Sequence, residues 1–462
     1  MTPDTAEITT AVDPRGPACA APLGEEPQPQ GGAWERLRAD PARMTAVRDT
    51  WRALWVSRLL VWAAGVGAVA TLGLVAVRNA FDPPHITSGF GWLGDLLAAP
   101  AARWDAAWYL VIAHYGYRPD LGTATAQRAA FFPLYPLGVR AISELAVPPV
   151  LAGVLLSLVA LALALYGIHR LTALELGADA ARVAVLVTAL APMAYYFSAV
   201  YSESLYLALS VGVFWCARQG RWAWVGVLGA LAGATRSAGL ALALPVAILY
   251  LYGPREDRPP DFPPRRWRLA GIRYKPRGEA LWLLALPLGV MAYAVYLALA
   301  GGSALEPFHA QEVWNRHFAG PYGGIWDATR AAFDGARQLL SFQRRHVYFK
   351  LSGGDAFVSA SHNVVLFAFL AAALPAIVGV LRRLPLAYGA YVLGALALPL
   401  SYPVAAQPLM SLPRFLVVLF PLSMWLGAFL AHRPRVRPAL LLFSALLLVF
   451  FTAQFATWHW VA

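Results

Sequence analysis

Long apolar runs recur ten times between residues 55 and 458, at about 55–77, 149–171, 183–200, 204–217, 222–252, 280–300, 362–381, 385–401, 412–431 and 439–458. A chain patterned this way must put most of its length into lipid or into a core built within lipid, and there only helices and closed barrels satisfy their own backbone. The runs are too long and too continuously apolar for barrel strands, which alternate. Overall 59% of residues are hydrophobic and only 13% charged, against about 25% charged in soluble domains. The fold class expected is therefore an all-α polytopic membrane protein. The net charge of +12 does not indicate a nucleic-acid partner, because the basic residues cluster between apolar runs, as membrane topology requires.

Charge then sets orientation. Residues 34–58 carry six arginines against Glu35, Asp40 and Asp49, which places the N-terminal side in the cytoplasm. The region 78–148 has five arginines and five acids, and so reads as a first outer loop. Within it, Phe131-Phe132-Pro133-Leu134-Tyr135-Pro136 resembles a short interfacial helix start. The run 222–252 is flanked by Arg218 and Arg221 on one side and by the basic loop 253–279 on the other. Both flanks read as cytoplasmic, so this run must enter and return as a short hairpin with Thr235-Arg236-Ser237 near its middle. Gly226, Gly229, Gly233 and Gly239 suit the close packing that such a hairpin needs. Counting the hairpin as two gives about eleven transmembrane helices, N-terminus in and C-terminus out, with a second large outer loop at 301–361. Residues 1–33 are polar and rich in Pro, Gly and acids. They read as a disordered cytoplasmic tail without a signal peptide, preceding a transmembrane domain at 34–462. Cys19 and Cys216 do not make a disulfide or zinc framework.

This topology gathers charge on the outer face: Asp105 in the first loop, Glu203 and Arg236 at hairpin turns, Arg414 at the outer start of a late span. Charged residues at membrane depth cost several kcal/mol unless paired. Each is a functional candidate, and an ion-pair set that fixes helix packing is the alternative. Asp105 lies in Arg103-Trp104-Asp105-Ala106-Ala107-Trp108-Tyr109, followed by His114. An acid among aromatic rings suits a sugar site, where rings cover pyranose faces and the carboxylate takes a hydroxyl proton. The same pattern also suits an interfacial aromatic belt. His114 reads as a partner in loop packing, and His309, His317, His346 and His362 lack metal-ligand spacing. No metal site or cofactor is expected. Phosphate-binding glycine loops, dinucleotide fingerprints, nucleophile elbows and Asp-x-Asp pairs do not occur in the sequence.

The segments Arg103–Tyr109, Ala130-Phe131-Phe132-Pro133-Leu134-Tyr135-Pro136-Leu137, Tyr201-Ser202-Glu203-Ser204-Leu205-Tyr206, Thr235-Arg236-Ser237-Ala238-Gly239 and Pro413-Arg414-Phe415 together resemble the PIG-V-like mannosyltransferases, which are GT-C membrane glycosyltransferases. The resemblance implies a GT-C-like fold and a hexosyltransferase of the cell membrane with an extracytoplasmic active site. It implies inverting transfer of a hexose, most simply mannose, from a polyprenyl-phosphate carrier to a lipid or glycan acceptor. Asp105 matches the family's first-loop acid, the general base. Arg103, Trp104, Trp108, His114, Glu203, Arg236 and Arg414 are the residues expected to hold substrate, with Arg236 or Arg414 on the carrier phosphate. The alternative is a secondary transporter or lipid-linked-sugar flippase, which also uses midplane charges and broken helices but is usually built from inverted repeats.

Overall fold

The computed structural model describes residues 40–75, 85–88, 90–117, 128–263, 271–342 and 355–461. The expected disordered stretch 1–33 and His346 lie outside the described residues. The contacts divide the chain into two units, 1–45 and 46–462. Of the first, only residues 40–45 are described. There Asp40 Oδ1 accepts from the backbone N–H groups of Ala42 and Arg43, satisfying two of the donors a helix start leaves open.

The described residues are helical, and their only β pairing is an isolated bridge between Arg316 and Val404. In chain order the helices are α1 Pro41–Leu72, α2 Trp92–Leu97, α3 Ala106–Tyr115, α4 Leu134–Ser143, α5 Pro149–Leu176, α6 Ala178–Ala189, α7 Glu203–Arg218, α8 Trp222–Thr235, α9 Ala243–Tyr252, α10 Leu288–Leu299, α11 Glu306–His309, α12 Gly320–Ser341, α13 Ala356–Arg383, α14 Leu386–Ser401, α15 Leu412–Val417, α16 Phe420–Ala431 and α17 Arg437–Ala456. Short 3-10 turns occur at Ala194–Phe197, Ser237–Leu242 and Gly278–Ala285.

Four helices, α1, α5, α13 and α17, are long and apolar enough to cross a membrane, or five if the bent pair Gly278–Ala285 and α10 forms one span. This is a membrane protein, and among the described residues the other apolar runs form shorter or broken helices rather than single long ones. Proline explains much of the difference, because it ends or kinks a helix by removing a donor and crowding the preceding turn. The run 183–200 breaks after Ala189, ahead of Pro192. The run 280–300 bends by 43° at a break containing Pro287, and 412–431 divides between α15 and α16 just before Pro421. Ahead of α5, α4 begins at Leu134 with Pro133 as its N-cap, as the proline spacing suggests.

The run 222–252 breaks at Arg236, whose backbone is extended at φ −157°, ψ 149°. The chain then doubles back: the rings of Trp222 and Tyr250, at its two far ends, lie 4.7 Å apart. A 14-residue α8 is about 21 Å long, short of the roughly 30 Å hydrocarbon core. Of the four glycines, Gly239 closes the hairpin, because a Cβ there would strike the backbone of Ala232 and Gly233. Gly226, Gly229 and Gly233 instead admit the segment 282–290, so the small-residue stripe serves the next element rather than the hairpin itself. Arg255 fastens the hairpin's open end. It donates to Asp257 (2.5 and 2.9 Å) and Glu279 (3.0 Å) and lies over the rings of Trp222 and Tyr250.

Arg58, expected to flank the first span, is buried within the second unit. Its guanidinium donates to the carbonyls of Ala189 (3.0 Å) and Ala194 (2.6 Å) and to Ser198 Oγ (3.0 Å). These are open carbonyls of the kind that the end of α6 would otherwise leave unsatisfied. The core is rich in aromatic residues, with Tyr135, Tyr201, Tyr206, Phe214, Tyr388, Tyr391 and Phe420 fully buried among α4, α7, α14 and α16.

Candidate active site

The left-handed backbone at Trp104 (φ 55°) turns the chain into α3, with Asp105 as its N-cap residue. Such a conformation costs of order 1–3 kcal/mol for a residue with a side chain. Tyr201 offsets it: its buried hydroxyl accepts from the Asp105 N–H (3.1 Å) and donates to the Arg103 carbonyl (2.9 Å). A second left-handed residue, Ser411 (φ 67°), opens α15, which carries Arg414. Arg236 stands at the break of the hairpin, and Glu203 is the first residue of α7.

These four side chains form one continuous chain of charge. Arg414 Nη1 donates to Asp105 Oδ2 at 2.5 Å. Arg414 Nε donates to Glu203 Oε1, which also accepts from Arg236 Nη1 at 2.6 Å. The Arg414 guanidinium lies over the rings of Tyr201 (4.7 Å) and Tyr196 (5.3 Å), and Arg236 lies over Phe415 (5.5 Å). Exposure is lowest at the centre of the chain and higher at both ends. The Asp105 side chain is 28% exposed, Arg236 14%, Arg414 8% and Glu203 0%. Glu203 is thus a buried counter-ion for two guanidinium groups.

Asp105, Arg236 and Arg414 line a cavity of about 300 Å³, at the lower end of the range for small-molecule sites. Its walls come from Tyr109, Phe131 and Phe132 on the first loop, Ser237 at the hairpin, and Trp460 beyond α17. Asp105 is the only carboxylate among the described residues that line it.

The other residues singled out in the sequence stand elsewhere. Arg103 is buried. Its Nε donates to the Ala456 carbonyl at the end of α17 (2.9 Å), and its guanidinium lies over Trp458 (5.5 Å). Trp104 packs against Trp458 and, edge-on at 5.1 Å, against Trp460, the ring that does reach the cavity. Trp108 stacks on Phe131 at 6.0 Å. His114 is exposed near the end of α3, beside Tyr115. Trp104 and Trp108 therefore back the wall from behind, and none of Arg103, Trp104, Trp108 and His114 is among the described lining residues. Sequence reasoning passed over Tyr109, Trp460 and Arg316, all of which line the cavity. Tyr109 stood within the quoted motif, whereas Trp460 and Arg316 carried no local signal.

Residues 80–249 match the family described as mannosyltransferase (PIG-V). The resemblance seen in the motifs thus holds over the region that carries Asp105, Glu203 and Arg236. Relatives include GPI alpha-1,6-mannosyltransferase 2 of Cricetulus griseus, 32% identical over 35% of this chain and 34% of that protein. The same enzyme of Rattus norvegicus is 34% identical over 35% and 34%. The chain spans about a third of the length of these relatives. Among solved structures, the Archaeoglobus fulgidus oligosaccharyltransferase tethered with an acceptor peptide aligns over 89% of this chain and 55% of that one, with 12% identity and a TM-score of 0.40.

Proposed function

We propose that this protein is a membrane hexosyltransferase that moves mannose from a polyprenyl-phosphate carrier to a hydroxyl of a lipid or glycan acceptor, on the extracytoplasmic side. The observation that carries the reading is the single carboxylate, Asp105, facing the cavity beside guanidinium groups. The acceptor oxygen attacks the anomeric carbon while its proton passes to Asp105 Oδ1 or Oδ2. The bond from that carbon to the carrier phosphate breaks, and the phosphate leaves with the bonding electrons. One displacement inverts the centre. A phosphate leaving group needs little acid assistance, so a second carboxylate in the cavity is not required. The charge developing on the phosphate is met by Arg236 and Arg414, since guanidinium groups make strong, charge-assisted bonds to such oxygens. Arg414 also orients Asp105.

The test is incubation of the purified chain with radiolabelled polyprenyl-phosphate mannose and a panel of membrane lipid acceptors. Transfer of label to an acceptor is expected. Label that stays on the carrier in every combination, with protein that is folded, overturns the reading.

A divalent metal has no favourable place here. The carboxylate that could bind one is already paired with Arg414, and the surrounding guanidinium groups would repel a cation. Activity is expected to survive EDTA unchanged. Loss that Mn²⁺ or Mg²⁺ restores would turn Asp105 into a metal ligand.

A further inference from the structure

The second large outer loop, 301–361, carries none of the family-like motifs, yet it delivers a cation to the cavity. Its segment 315–319 lies along the link between α14 and α15. His317 N–H donates to the Pro403 carbonyl (3.3 Å), Ala319 N–H to the Ser401 carbonyl (2.9 Å), and Ala405 N–H returns to the Asn315 carbonyl (3.3 Å). This pairing holds Arg316 against the stretch leading to Arg414. Arg316 Nη1 donates to the Tyr402 carbonyl at 3.0 Å, and Arg316 is among the cavity's lining residues.

The charges there do not balance. Asp105 and Glu203 supply two negative charges, while Arg236, Arg316 and Arg414 supply three positive ones. Both carboxylates are taken by Arg236 and Arg414. Arg316 has no carboxylate within ion-pair distance among the described residues. One carbonyl contact uses only one of its five N–H donors. Arg316 is half-buried, and the loss of hydration outweighs the attraction of Asp105, pushing the guanidinium down to about 10. A cation held at a cavity wall by backbone pairing, with donors to spare and no paired counter-ion, is a seat for an anionic group.

We propose that Arg316 binds the phosphate of the lipid-linked donor through its non-bridging oxygens, joining Arg236 and Arg414, whose charges are already shared with Asp105 and Glu203. This rests on the function proposed above and names the residue that recognises the donor's charge. Segment 315–319 thereby brings the phosphate-binding side chain to the cavity.

The test compares binding of farnesyl phosphate, farnesol and inorganic phosphate to the purified full chain and to its Arg316→Gln and Arg316→Lys variants, each checked for folding by thermal melting. The wild type is expected to bind farnesyl phosphate more tightly than farnesol. Arg316→Gln should weaken farnesyl phosphate binding by about tenfold to a hundredfold, the worth of a charge-assisted contact, while farnesol binding stays constant. Arg316→Lys keeps the charge and should retain most of the preference. An Arg316→Gln variant with the full preference for the phosphate overturns the proposal, as does a wild type without one. Inorganic phosphate that competes with farnesyl phosphate equally well in wild type and Arg316→Gln overturns it too. If Arg316→Gln does not fold, Arg316→Ala decides by the same comparison: the full preference for farnesyl phosphate over farnesol overturns the proposal, and a loss of about tenfold or more supports it. A wild type that binds farnesyl phosphate through Arg316 but transfers no mannose would overturn the transferase reading and leave this site standing.

Discussion

Asp105→Asn is expected to lower turnover by about 10²–10⁴-fold, the usual contribution of a general base, with donor binding little changed. Asparagine keeps the shape of the side chain and an oxygen for Arg414 Nη1, but it cannot take the acceptor's proton. Folding should persist, because Asp105 is the most exposed member of the ion-pair chain and Arg414 keeps its bond to Glu203. The measurement is single-turnover transfer of labelled mannose at saturating donor, with binding of the donor followed separately. Retention of a tenth or more of wild-type turnover would remove Asp105 from the role. Glu203 is not placed to take the role over, being fully buried and not among the described residues lining the cavity. An active Asp105→Asn would therefore argue against base catalysis by any carboxylate of the described cavity.

The acid and its charged partners were legible in the sequence because membrane-embedded charge is rare enough for each instance to carry information. Asp105, Glu203, Arg236 and Arg414 lie up to 309 residues apart, and charge asymmetry of the flanks was enough to put them on one side. The break at Arg236 was legible for the same reason: a span with basic residues at both ends has to return. What stayed hidden was direction. Arg103, Trp104 and Asp105 are consecutive, yet only Asp105 meets the cavity, because the left-handed turn at Trp104 sends its neighbours toward Trp458, Trp460 and the end of α17. That turn depends on Tyr201, 98 residues from Arg103, so nothing local announces it. Arg316 was hidden for a related reason. It sits in an exposed-looking, charge-balanced loop, and its place at the cavity comes from pairing with residues 401–405. Hydropathy likewise overstated the regularity of the spans, since an apolar run registers as continuous whether or not a proline divides it.

The second large effect belongs to Glu203. Glu203→Gln should destabilise the protein by about 3–5 kcal/mol, the usual consequence of removing one partner of a buried ion pair. The glutamine has nearly the same volume, so lost packing is not the cause. The cause is charge: Arg414 would keep only Asp105, and Arg236 would lose its one carboxylate contact among the described residues. Adding Arg236→Gln to Glu203→Gln removes one uncompensated guanidinium, so the double variant should be more stable than the two single losses added together, with a coupling of about 0.5–3 kcal/mol. Reversible unfolding of the four proteins in mixed micelles, followed by tryptophan fluorescence, measures this cycle. Strict additivity, or a Glu203→Gln protein as stable as wild type, would mean that the ion-pair chain does not hold α7, the hairpin and α15 together. The transfer assay supplies the other half. If Glu203 acts by positioning Arg414, and through it Asp105, the folded fraction of Glu203→Gln should lose turnover with little change in the affinity for farnesol, whose binding needs none of these charges.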